Sequence, residues 1–134
     1  MLYNIKTGWN GIPQLPMQDI VVMATSLPCL VRHGVPFVFT DRHAYMIPAR
    51  FSSDLADLER VDWSILKRSD FARDPNDPEK VDRYQAEALV YRHLSIDMLE
   101  EVICCTDVRT AHVRAVADEA GVQVSVVTRR EYFF

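Results

Sequence analysis

The stretch "EEVICCTDVRTAHVRAVADEAGVQVSVV", Glu100 to Val127, leaves few folds open. "EEVICC" reads as a strand, "DVRTAHVRAVADEAG" as a helix that Asp107 opens and Gly121 closes, and "VQVSVV" alternates as a second strand. Along the helix, Val108, Ala111, Ala115 and Val116 are the expected buried stripe. A strand-helix-strand unit of this kind assigns the chain to the mixed α/β class, and no repeat or low-complexity tract competes with it. At 134 residues, 49% of them hydrophobic, the chain suffices for one domain with its own core and not for two.

Earlier segments are shorter and less regular. Residues 1–19 carry Gly8, Gly11, Pro13 and Pro16 beside the exposed-looking aromatics Tyr3 and Trp9, and read as irregular. "DIVVMATS" suits a buried strand, Ser26 caps a short helix through Arg32 that Gly34 ends, and "VPFVFT" is another strand. Asp41 is placed to cap about two helical turns in "RHAYMIPARF". Leu55, Leu58, Val61 and Ile65 follow at helical spacing, with a second cap at Asp62. "ARDPNDPEKVDR" is then a polar, turn-rich loop.

Cys29, Cys104 and Cys105 are odd in number and lack metal-ligand spacing, so they are expected as reduced core residues of a cytoplasmic protein. No apolar run approaches a membrane span, and the start lacks the order of a signal peptide. With a net charge of −4, any DNA contact needs a local basic patch. Asp54, Asp57, Glu59 and Asp62 read as a solvated helix face, and His33, His93 and His112 have no partner at ligand or triad spacing, so no metal is expected.

The most informative charge is Glu87, between two alanines in "VDRYQAEALVYRHL". Propensity favours a helix there and alternation a strand; a surface carboxylate, paired with Arg83 or not, and a functional one are equally open on pattern alone. A metal-dependent nuclease would want a lysine two residues on, where Leu89 stands.

Taken together, "MLYNIKTG", "FVFTDRHA", "LERVDWSIL", "RYQAEALV" and the closing "REYFF" resemble, in order and spacing and from Met1 to Phe134, the DarT-type DNA ADP-ribosyltransferases, toxins of DarT–DarG toxin–antitoxin pairs. The resemblance implies an ADP-ribosyltransferase-like split mixed sheet with short flanking helices, N-terminally incomplete, that clasps NAD as co-substrate and needs no metal. It implies transfer of ADP-ribose from NAD to thymine in single-stranded DNA, with Glu87 as catalytic carboxylate and residues from about 43 to 84 as acceptor-recognition loop. Breaking the nicotinamide–ribose bond builds positive charge on the ribose, which a carboxylate gripping a ribose hydroxyl stabilises.

Arg42, His43, Arg83 and Tyr84 are the implied DNA-binding residues, with Arg73 and Lys80 in local supply. The family's NAD-gripping histidine and arginine fall ahead of Met1, so no cofactor-binding residue is assigned in this sequence, and the chain alone is expected to transfer little or nothing. A macrodomain antitoxin of the DarG type is the implied protein partner. The alternative is a non-catalytic DNA-binding or interaction remnant of such a toxin.

Overall fold

A computed structural model describes residues 2–8 and 11–133. In chain order its regular elements are helix α1 (Leu2–Thr7), strand β1 (Val21–Ala24), α2 (Leu27–Arg32), β2 (Phe37–Thr40), β3 (Phe51–Ser52), α3 (Trp63–Lys67), α4 (Lys80–Arg83), β4 (Ala88–Val90), β5 (Glu101–Cys104), α5 (Asp107–Glu119) and β6 (Ser125–Thr128). They form two compact units, Met1–Ser26 with Ser95–Phe134, and Leu27–Leu94. Each unit holds one three-stranded sheet, in the orders β1-β5-β6 and β3-β2-β4. The mixed α/β class with short flanking helices is as the sequence led one to expect.

In the first unit β5 runs antiparallel to β1 and parallel to β6, with α5 as the crossover between the parallel pair. The Thr106 hydroxyl accepts the Arg109 N–H and caps α5. Gly121, at φ +68°, closes it, with Val122 N–H returning to the Ala117 carbonyl and Gly121 N–H to that of Asp118. Val102, Cys104 and Val126 form the core beneath Val113.

The expected stripe is not the buried one. Val108 is 82% exposed and Val116 51%, whereas Thr110 is buried. Thr110 is satisfied by the Thr128 hydroxyl at 2.7 Å, and Arg114 donates to the Val126 carbonyl at 2.7 Å, so polar residues share the sheet-facing side with Val113 while Val108 and Val116 face out. Strand β1 is likewise less covered than "DIVVMATS" suggests. It is an edge strand, and Val21 and Met23, opposite Cys104 and Val102, remain exposed. Residues 2–7, expected to be irregular, form a helical turn and a half; Trp9 lies outside the described residues.

The second unit packs Leu30, Phe37, Phe39 and Val61 into one cluster, with Leu55 and Leu58 against it. Gly34, at φ +64°, turns the chain from α2 into β2. Asp54 and Asp62 cap the turns they precede, through Ala56 N–H and Ile65 N–H. Asp41, by contrast, caps nothing: residues 43–49 form successive tight turns, and the Asp41 carboxylate instead accepts Arg50 N–H at 3.0 Å, tying the two ends of that loop together. Proline at 48 and the return to β3 leave no room for two helical turns.

Candidate active site

Both local signals around Glu87 are partly obeyed. Helix α4 takes residues 80–83, strand β4 begins at Ala88, and Glu87 stands at the junction. Pairing with β2 fixes it there: Phe39 lies opposite Ala88 and Phe37 opposite Val90, and Thr40 N–H donates to the Glu87 carbonyl at 2.9 Å. The buried Thr40 hydroxyl accepts Glu87 N–H at 3.2 Å, which fixes the Glu87 backbone from both sides. At the other end, a left-handed Arg92, at φ +65°, stops the strand well short of Leu94.

The Glu87 side chain is also held. Its Oε1 accepts Ala44 N–H at 2.9 Å, and the side chain is 38% exposed; Oε2 has no partner among the described residues. His43 Nδ1 lies 3.4 Å from the same Oε1 and accepts Tyr45 N–H at 3.3 Å. Of the flanking alanines, Ala86 packs on the core and Ala88 is exposed, which leaves open space on one side only. This corner therefore presents one anchored and one free carboxylate oxygen, the arrangement needed to accept a hydrogen bond from a ligand hydroxyl.

Arg83 does not pair with Glu87. Its Nε donates to Asp62 at 3.1 Å and its Nη1 and Nη2 to Asp77 at 3.1 and 2.6 Å, because α4 ends there and a turn separates it from Glu87. The bidentate Asp77 contact, followed by Asp62, raises the Arg83 pKa further above its ordinary value. Asp62 is held below the usual carboxylate range, by the Ser64 hydroxyl first and Arg83 next; Asp77 is lowered chiefly by Arg83. The polar loop ahead of α4 is thus pinned to the cap of α3.

Of the remaining residues singled out from sequence, His43 is beside Glu87, and Arg42 leans away toward Glu79 at 3.3 Å and Asp41 at 3.6 Å, its buried Nε without a hydrogen bond. Tyr84 stacks edge-on against Phe71 at 5.4 Å. Lys80 is buried on Asp70 at 2.6 Å, whereas Arg73 is exposed. The strand-end position of "FTDRHA", directly after β2, marks Asp41 as a ligand-binding candidate beside its reading as an N-cap; the same signal extends to Thr40 and Ala44, which no motif singles out. No group of three His, Cys, Asp or Glu side chains able to hold a metal occurs among the described residues. No described helix is long and apolar enough to cross a membrane.

A family model described as "ssDNA thymidine ADP-ribosyltransferase, DarT" matches residues 1–134. The chain is 40% identical, over all 134 residues, to a DNA ADP-ribosyl transferase of Escherichia coli O127:H6, and spans 62% of that relative's length. Its fold is similar to that of Thermus sp. 2.9 DarT in complex with carba-NAD+, at a TM-score of 0.87 and 29% identity, covering 99% of this chain and 67% of the other. Against the same Thermus protein in complex with ADP-ribosylated ssDNA, the TM-score is 0.88 at 29% identity, with 99% and 63% covered.

Proposed function

The chain belongs to the DarT family of ssDNA thymidine ADP-ribosyltransferases, and from that premise we propose that it carries the catalytic carboxylate and the acceptor side of ADP-ribose transfer from NAD to thymine in single-stranded DNA. The observation that carries this reading is the Glu87 carboxylate, anchored through Oε1 on Ala44 N–H and free at Oε2. NAD supplies the ADP-ribosyl group, and the free Oε2 suits a ribose hydroxyl. A fixed negative charge there stabilises the positive charge that develops on the sugar as nicotinamide leaves, and needs no reorganisation to do so. Residues from about 43 to 84 are the proposed acceptor loop, with Arg42, His43, Arg83 and Tyr84 as its DNA-facing candidates. In this conformation His43 is the one best placed to act beside Glu87, while Arg83 and Tyr84 act through the loop they hold.

A toxin role, opposed by a macrodomain antitoxin of the DarG type in the cytoplasm, goes with family membership and belongs to the same proposal. Because the chain spans 62% of its E. coli relative, low transfer by these 134 residues alone remains the expectation. The test is to incubate the purified chain with NAD and thymine-containing or thymine-free single-stranded oligonucleotides, and to look by mass spectrometry for a gain of one ADP-ribose. Product confined to thymine-containing strands and abolished in Glu87→Gln supports the reading; product unaffected by Glu87→Gln contradicts it. Abundant product would overturn the expectation of low transfer.

A further inference from the structure

We propose that Tyr45, with Ile47 beside it, is the platform on which a base of the acceptor strand stacks, and that Arg50 holds an adjacent phosphate; this rests on the DNA-acceptor reading above. The two apolar side chains are 91% and 102% exposed, the extreme values among the large hydrophobics of the described residues. Such exposure is ordinary on a loose loop and unusual on a fixed one.

This loop is fixed. His43 N–H donates to the Asp82 carbonyl at 2.9 Å, Met46 N–H to that of His43 at 3.0 Å, and Ala49 N–H to that of Met46 at 2.9 Å. Arg50 N–H on Asp41 closes its ends. The bond from Ala44 N–H to Glu87 ties the loop to the proposed catalytic carboxylate, one residue from Tyr45. Phe37 and Phe39 of the same unit are buried in its core, so this unit does bury aromatics where neighbours exist. Tyr45 and Ile47 are instead exposed, on the loop whose Ala44 N–H anchors Glu87.

Charge selects the occupant. The exposed Arg50 has no ion-pair partner among the described residues and stands at the foot of the loop, with the exposed His43 imidazole at the other end. An aromatic tip between cationic or donor feet fits a nucleobase with its phosphates, since every base has a face to stack and every link a charge to neutralise.

The test is fluorescence anisotropy of a labelled thymine-rich 12-mer DNA with the purified chain over a range of salt, without NAD. Tyr45→Ala is expected to weaken binding roughly tenfold with the salt slope unchanged, and Tyr45→Phe to restore it. On an abasic strand of the same length the Tyr45→Ala difference should vanish. Arg50→Ala is expected to weaken binding and to flatten the slope of log affinity against log salt by about 0.7. Equal affinity of wild type and Tyr45→Ala overturns the proposal, as does failure of the wild type to bind the strand. A self-association that Tyr45→Ala dissolves would assign the loop to a second copy and also overturn it. Because no NAD is present, failure of the transfer chemistry, read by product mass, is distinguishable from failure of this site.

Discussion

The two compact units of this chain are held together by different means. In Met1–Ser26 with Ser95–Phe134, backbone ladders and one capped, thirteen-residue helix do most of the organising. In Leu27–Leu94 the strands are two to four residues long, and side chains bonded to distant backbone or to one another do it instead: Thr40 and Ala44 on Glu87, Asp41 on Arg50, Arg83 on Asp62 and Asp77. The difference teaches that the candidate site lies where regular structure is sparse, and that its precision rests on a few polar contacts.

The largest effect that would sharpen this contrast is on the ladder-built unit. Ile103, 1% exposed on β5, should cost about 2–5 kcal/mol when cut to alanine, read as a lowered urea midpoint. Arg83→Met should do the reverse: only about 1 kcal/mol of stability, since the guanidinium is partly exposed, but at least about tenfold in transfer rate as the loop before Glu87 loosens. Equal losses of stability from the two variants would break the comparison.

Acid should reveal the same network. Asp62 and Asp77 have carboxyls lowered in the folded chain, so their contribution is fully present above the ordinary carboxylate value of about 4 and is lost as pH falls through their lower folded values. Urea melts at pH 5 and pH 3 should show this loss, and Arg83→Met should diminish it. The smallest effect is on α5. Val108→Ala should change stability by no more than about 0.5 kcal/mol, and Thr110→Val should cost about 1 kcal/mol by removing the bond Thr110 donates to the Thr128 hydroxyl, which still donates to Asp107.

The same contrast explains what could be read in advance. The β5-α5-β6 unit, its Gly121 stop and the cap at Asp62 follow from local periodicity and turn chemistry, whereas Asp54, expected on a solvated face, also proves to be a cap. The buried side of α5 was misjudged because hydrophobicity is a proxy for burial, and Thr110 meets that role with a hydroxyl pair instead. Glu87 could be singled out as a charge in an apolar run, and the resemblance carried by "RYQAEALV" implies the catalytic role proposed for it. Its anchors could not: Ala44 acts through a backbone N–H, which any residue carries, 43 positions away in the chain. Sequence proximity left a pair of Arg83 with Glu87 open, and the turn after α4 rules it out, Arg83 going to Asp62 and Asp77 instead.

The anchored carboxylate can be measured directly by amide hydrogen exchange at Ala44, whose N–H has Glu87 Oε1 as its acceptor outside any helix or strand. The amide should be protected in the wild type, and Glu87→Ala should speed its exchange at least about tenfold while amides of β5 keep theirs. Exchange at Ala44 that is already fast, or unchanged in Glu87→Ala, would contradict a pre-positioned Glu87.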